Sequence, residues 1–260
     1  MLLCAGCAGG TGGAGGSSDS SAAADVARAA RATEDVTSVH YRVSGRIPEQ
    51  GQVESEASVA AKPARARMVT SSRDDGKTTE AELRMVDGVL YQRASENGVA
   101  QQAHGRHWAD FGPDAKFTAG GGLRMDVGAL RDQVGHIPAR DAAFLAAADD
   151  VRRVGTETVA GTRTTHYTGT AALDDLRASV TGKAKTDLAQ YEKLGVDELT
   201  LDVWVDGDDH VRRLRTQGFG RHGELDLTVT LLDFGKPVTV RAPAADDTVD
   251  LRAPAKESRS

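Results

Sequence analysis

Cysteine is nearly missing from this chain. Cys4 and Cys7 stand in the first seven of 260 residues, and none follows. The body can therefore hold neither an internal disulfide nor a zinc–thiolate site. Aromatic residues are also scarce, 4% of the chain against 39% hydrophobic, so any core must be built mainly from Val, Leu and Ala. No apolar run approaches the roughly 18 to 20 residues that cross a bilayer as a helix. No run of five or six like charges occurs, so no charged tail is implied. The net charge of −6 and a pI near 5.7 argue against a nucleic-acid binder, which needs a basic surface. Catalytic sets are missing too: there is no Gly-x-Ser-x-Gly elbow, no His-Glu-x-x-His and no cysteine nucleophile in the body. No catalytic residue and no cofactor are expected. His104 and His107 have a metal-ligating spacing but no clear third ligand, and Asp206 to Asp209 lacks the spacing and distal Glu of a calcium loop, so no metal is expected. His40, His136, His166, His210 and His222 are scattered and read as ordinary strand or loop residues.

What is present begins with Ala5-Gly6-Cys7, which resembles a bacterial lipobox. In that reading residues 1–7 are the remnant of a lipoprotein signal and Cys7 is the lipidated residue. Two other readings stay open: a Cys-x-x-Cys redox pair, which needs a thioredoxin-like βαβ context where this chain has glycines, and a terminus with no role. Residues 8–24 are almost all Gly, Ser and Ala and read as a flexible tether with an r.m.s. span of about 20–25 Å. Residues 25–253 read as one domain, and residues 254–260 as a disordered tail.

Within the domain, strand patterns dominate. In Glu198 to Asp206, Leu199, Leu201, Val203 and Val205 alternate with Thr200, Asp202, Trp204 and Asp206, which predicts a strand with one buried face. Asp206-Gly207-Asp208-Asp209 supplies the turn of a hairpin, and Val211 and Leu214 the returning strand. Alternation at Val39, Tyr41 and Val43, and at Val53, Ala57 and Val59, predicts two more strands. Others follow from Ala66 to Ser71 and on either side of Asp87-Gly88, a two-residue hairpin turn. Val151–Val159 and Thr162–Thr170 predict a hairpin across Ala160-Gly161. Leu225 to Leu231 and Val238 to Val240 close the set, whereas residues 94–115 read as irregular.

Four helices are predicted. One runs from Asp25 to Asp35, one from Met125 to Val134, and one follows Pro138 with Phe144, Leu145 and Ala148 on its apolar side. The longest spans Leu173 to Leu194, with Leu173, Leu176, Val180, Ala184, Leu188, Tyr191 and Leu194 at separations of three or four and Gly195 as its cap. The fold class is α+β. A long antiparallel sheet with one wet and one apolar face needs a cover on the apolar face.

The run VGTETVAGTRTTHYTGT (Val154–Thr170), the helix after it, LDVWVDGDDHVRRLR (Leu201–Arg215) and TLLDFGKPVTVRAP (Thr230–Pro243) resemble the actinobacterial LppX/LprA/LprF/LprG lipoproteins. The resemblance reaches more weakly to the N-terminal helix and His40-Tyr41. It implies a LolA/LolB-like half-barrel, a strongly curved antiparallel sheet with helices on its concave face and an apolar cavity between. It also implies carriage of a lipid or glycolipid in the envelope; with the lipobox and tether, the expectation is a monomer anchored to the outer face of the cytoplasmic membrane. The motifs lie at turns and strand ends, so no catalytic role transfers with them. The alternatives are a sensor or binding module of the same fold acting on a membrane partner, and an envelope hydrolase, which would need the missing nucleophile–base set. Leu83, Leu173, Leu176, Val180, Leu188, Tyr191, Leu199, Leu201 and Val203 are expected to line the cavity.

Overall fold

One sheet of twelve strands accounts for most of the computed structural model, which describes residues 16–93, 105–114, 116–118, 124–126, 128, 141–180 and 183–252. A helix α1 (Gly16–Glu34) leads into a meander of β1 (Ser38–Ile47), β2 (Gly51–Ala61), β3 (Ala64–Asp74), β4 (Lys77–Val86), β5 (Val89–Arg93) and β6 (Trp108–Gly112). A separate pair, β7 (Lys116–Thr118) and β8 (Arg124–Asp126), and a short helix α2 (Asp141–Ala146) come next. Then follow β9 (Arg152–Val159), β10 (Thr162–Ala172), α3 (Leu173–Ser179), α4 (Lys183–Lys193), β11 (Glu198–Asp206), β12 (Val211–Gly220), β13 (Gly223–Phe234) and β14 (Thr248–Asp250).

The strand order is β14-β6-β5-β4-β3-β2-β1-β13-β12-β11-β10-β9. Two meanders are thus joined where β1 pairs antiparallel with β13, and among the described strands only β14 with β6 is parallel. The sheet is curved and does not close. Register shifts interrupt the ladders at His40/Tyr41, Leu90/Tyr91, His166/Tyr167 and Trp204/Val205. Each extra residue bends its strand and increases local twist, which is how a sheet this wide acquires a hollow side. The tight reversals match their sequences. Asp87-Gly88 and Ala160-Gly161 have both φ angles positive, the geometry that keeps strand twist continuous through a two-residue loop.

The helices rest on the inner side of the second meander. Val26, Ala29 and Ala30 of α1, Phe144 and Leu145 of α2, Leu173 and Leu176 of α3 and Leu188 of α4 form one core cluster. From the sheet it includes Leu199, Leu201, Val203, Val211 and Leu214. Full burial of each such Val or Leu stabilises by about 1.5–3 kcal/mol. Gly169 explains how closely α2 approaches: a Cβ there would stand 2.8 Å from Leu145 Cδ1. A second, smaller cluster of Met85, Leu90, Ala109 and Phe111 sits at the other end of the sheet.

Several expectations change. The helix predicted for Asp25–Asp35 begins at Gly16, so residues 16–24 are not a flexible tether; residues 8–15 lie outside the described residues. Ala22 is 3% exposed and continues the stripe of Val26, Ala29 and Ala30 at helical spacing, and that burial supplies what a Ser/Ala segment lacks on its own. The long helix over Leu173–Leu194 is two helices. Val180 is extended, with φ −97° and ψ 149°, and ends α3 rather than lying mid-helix. Val180-Thr181-Gly182 puts two β-branched residues and a glycine, all poor helix formers, in succession. The break is large: Arg177 Nη2 lies 2.6 Å from Glu192 Oε1, whereas fifteen residues of continuous helix would separate them by about 22 Å. Trp108–Gly112, in a stretch expected to be irregular, is a buried strand. Val238–Val240 is not a strand, and the last strand is Thr248–Asp250. Met125 belongs to β8; of the helix predicted there, the rest lies outside the described residues except Asp126 and Gly128. The tail from residue 254 lies outside them too.

Candidate functional site

The ladder registers place two apolar rows on the inner face. One runs Leu83–Met68–Ala57–Tyr41–Leu231 across β4, β3, β2, β1 and β13. The other runs Val43–Val229–Leu214–Val203–Tyr167 across β1, β13, β12, β11 and β10. The rows change character along their length. Leu214, Val203 and Tyr167 are buried beneath the helices, whereas Tyr41, Val43, Met68, Leu83, Leu227 and Val229 are only half-buried. The principal contacts of α1, α2 and α3 with the sheet fall on β9–β12. An apolar band therefore continues from packed core onto a less covered surface over β1–β4 and β13.

The helices are fixed by polar ties as well as by apolar contact. Thr33 is fully buried; its hydroxyl donates to Ala29 O at 2.7 Å and accepts the Val211 N–H at 2.9 Å. Arg28 bridges Asp25 and the hairpin turn at Asp209, both at 2.9 Å. The Tyr167 hydroxyl donates to Asp25 Oδ2 at 3.1 Å. Burial, with the Asp25 charge beside it, pushes the Tyr167 phenol up to about 12, so it remains a neutral donor. Tyr191 of α4 donates to Asp141 at the start of α2, and its ring meets Phe144 edge-on with centroids 6.4 Å apart. Burial, then the Asp141 charge, holds its phenol well above the ordinary range. Tyr41, within the half-buried row, is likewise pushed up by burial and presents a neutral ring.

The residues predicted to line a cavity divide. Leu173, Leu176, Leu188, Leu199, Leu201 and Val203 are 0–4% exposed and pack together in the main core. Val180 and Tyr191 are half-buried against the same core, Val180 at the helix break. Leu83 joins the smaller cluster at the far end. Tyr41, Val43, Met68, Leu227 and Val229 were not singled out, although alternation had marked most of their strands. Period-two patterning says which residues share a face and is blind to how much of that face another element covers. An open groove of about 240 Å3 between α1 and α2, lined by Ala27, Ala30, Arg31, Glu34 and Ala143, falls below the ~300–1,000 Å3 typical of ligand pockets.

Cys7, His104 and His136 lie outside the described residues. His107 is held by Asp247, 2.7 Å from Nδ1, and fastens its loop to the segment before β14. Among the described residues no group of three His, Cys, Asp or Glu is placed to hold a metal, and no helix is long and apolar enough to cross a membrane.

The LppX_LprAFG lipoprotein family model matches residues 21–240. The chain belongs to this family. It is 31% identical over 166 residues to an uncharacterized 31.2 kDa protein of the rplA-rplJ intergenic region in Streptomyces griseus, covering 62% of this chain and 53% of that one. The chain spans about half the length of the curated relatives it matches. Among solved structures it is similar to LprF from Mycobacterium bovis, with a TM-score of 0.52 and 17% identity over 88% of this chain and all of that one. It is equally similar to LppX from Mycobacterium tuberculosis, with a TM-score of 0.52 and 18% identity over 86% and 100%. At these identities the likeness establishes the fold: the curved, open antiparallel sheet is that of the LppX and LprF lipoproteins.

Proposed function

We propose that this lipoprotein-family member binds the acyl part of a lipid or glycolipid on the concave face over β1–β4 and β13, and carries or chaperones it in the cell envelope. The carrying observation is the half-buried apolar band of Tyr41, Val43, Met68, Leu83, Leu227 and Val229. The row through Tyr41 continues to Leu83 without a polar interruption, whereas the row through Val43 meets Ser55 and Thr70 on β2 and β3; a covered core has no need of that exposure. At ~25 cal/mol per Å2, an acyl chain covering on the order of 300 Å2 of this face gains about 7 kcal/mol before immobilisation costs. Binding thus needs no charged anchor. Family membership and the LprF-like fold support the reading. They also support acylation of Cys7 and a place on the outer face of the cytoplasmic membrane. The protein acts by binding rather than by catalysis.

The test is uptake of a fluorescent fatty-acyl probe by wild type and by Met68→Trp. Met68 lies mid-row between Ala57 and Leu83, so the indole fills the band without adding charge. Wild type is expected to take up the probe and Met68→Trp to take up several-fold less, with melting temperatures within a few degrees. No uptake by wild type, or equal uptake by both, removes the reading.

A further inference from the structure

The outer face of the first meander holds a cluster that neither lipid binding nor packing explains. Arg65 and Arg67 alternate along β3 with the inward Ala66 and Met68, and so point to the opposite side. Arg67 stands directly across from Arg84 of β4, and Arg93 of β5 completes the group. Like charges in a direct cross-strand pair are destabilising unless something offsets them. One buried carboxylate does so in part. Glu82, its side chain 8% exposed, accepts from Arg67 Nε at 2.8 Å and Arg84 Nε at 3.0 Å, and Arg93 Nη1 lies 3.9 Å away. Burial alone would raise the Glu82 carboxyl; the hydrogen bonds from Arg84 and Arg67 outweigh it and hold the group below its usual range. The second carboxylate is the exposed Asp87, 3.8 Å from Arg65. Four arginines thus face two carboxylates, 4 − 2 = 2 positive charges in surplus, on a chain whose net charge is −6.

The cluster is also pre-shaped. The Arg84 guanidinium lies 4.2 Å over the Trp108 ring, and its Nη1 donates to Arg241 O at 3.4 Å, which fixes its plane. Arg65 Nε is buried with no hydrogen-bond partner, and 31% of its side chain remains exposed. Arg67 and Arg93 keep 48% and 59% of their side chains exposed. Three guanidinium groups beside one carboxylate, with Arg65 two residues along the same strand face from Arg67, match a tetrahedral oxyanion, whose oxygens accept from more than one fork at once, better than a second single carboxylate.

We propose that Arg65, Arg67, Arg84 and Arg93 form a binding site for a phosphate group on the outer face of β3–β5. The group is the phosphodiester of an anionic lipid headgroup or free phosphate. The site lies on the other side of the sheet from the acyl-binding band and does not depend on it.

The experiment uses the full chain with Cys7→Ser, so that no acyl anchor contributes. Sedimentation with phosphatidylglycerol-containing vesicles is compared with pure phosphatidylcholine vesicles, which offer the same acyl chains without net charge. A second arm titrates inorganic phosphate and follows amide chemical shifts in β3–β5. Arg65→Gln/Arg93→Gln leaves both hydrogen bonds to Glu82 in place and should keep the melting temperature. It is expected to weaken binding to the charged vesicles roughly thirty-fold, at about a factor of five for each arginine near an anionic surface. Arg152→Gln/Arg163→Gln, with the same change of net charge at the far edge of the sheet, should bind as wild type does. Binding to charged vesicles assigns the headgroup; binding to inorganic phosphate alone assigns a soluble source. No response in either arm, or an equal loss from both double variants, overturns the site.

Discussion

Replacing Thr33 by valine tests whether α1 belongs to the folded domain or merely trails from an anchor. Thr33 is fully buried and its hydroxyl joins two elements, donating back to Ala29 O and accepting the Val211 N–H at the start of β12. Valine keeps nearly the same shape but cannot accept, so the Val211 N–H is left in apolar surroundings. A stranded buried donor costs about 1–3 kcal/mol. Helix propensity changes little between the two β-branched residues, and the new methyl returns part of a kcal/mol. The net expectation is a loss of about 1–2 kcal/mol, or about 2–8 °C in melting temperature for a domain of this size. Thr33→Ser retains both hydrogen bonds and loses one methyl, about 0.8 kcal/mol plus a small cavity term. Circular dichroism melts of the three proteins should rank wild type above serine and serine above valine. A valine variant as stable as wild type would mean that the hairpin does not depend on α1, and would refute the account of how the helix is held.

Three further outcomes can be measured, two from the structure and one from the sequence. Leu201→Ala, fully buried under α1 and α2, should cost about 2–5 kcal/mol, whereas Val229→Ala on the half-buried band should cost clearly less in chemical denaturation; equal costs would mean the band is ordinary core. Arg215 donates to Asp226 at 2.9 and 2.6 Å and, with burial opposing, lowers its carboxyl. A depressed carboxyl stabilises above its unfolded value, about 3.9, and that contribution is lost as pH falls through the folded value, so the stability gap between wild type and Arg215→Gln should be constant near neutrality and close below about pH 4; a gap that persists there would refute the pairing. Cell fractionation of Cys7→Ser should move the protein out of the membrane pellet, and equal retention would sink acylation at that residue.

Period-two alternation and hairpin turns together placed ten strands. Alternation carried β1, β2, β11 and β13, where a wet and a dry face differ. The turns at Asp87-Gly88, Ala160-Gly161 and Asp206 to Asp209 carried their partners, including β9, which is exposed on both faces over most of its length. Alternation failed where the contrast between faces is absent. Trp108, Asp110 and Phe111 are all buried, so β6 shows no alternation, and its acidic residue made it look like loop. Helical spacing was equally faithful to faces and blind to continuity. The stripe from Leu173 to Tyr191 does turn toward the core in both α3 and α4, but the pattern persists across a break because a hydrophobic face constrains side-chain direction, not the backbone at Val180. The start of α1 was hidden for the opposite reason. Ala22 and its neighbours have helix propensity but too little apolar area to advertise a partner, and only the contact with the second meander reveals it. The candidate band depended on coverage, a property of the whole sheet that no local window contains.

That uneven coverage has a physical basis in how the sheet is joined. Within the ladder of described strands its two meanders are joined at β1 and β13, so stability need not be shared evenly between them. The second meander carries the helical cover, the buried Thr33 and Tyr167 ties and the largest set of fully buried Leu and Val side chains. It can hold the fold while the inner face of β1–β4 keeps Met68 and Leu83 half-buried. A face that exchanges an apolar occupant for water must tolerate both states, and dense packing forbids that, since filling or emptying a well-packed site costs several kcal/mol. The bulges at His40/Tyr41 and Trp204/Val205 add local twist, the first in β1 at the seam of the less covered half and the second in β11 under the helices, so that the sheet curves instead of lying flat.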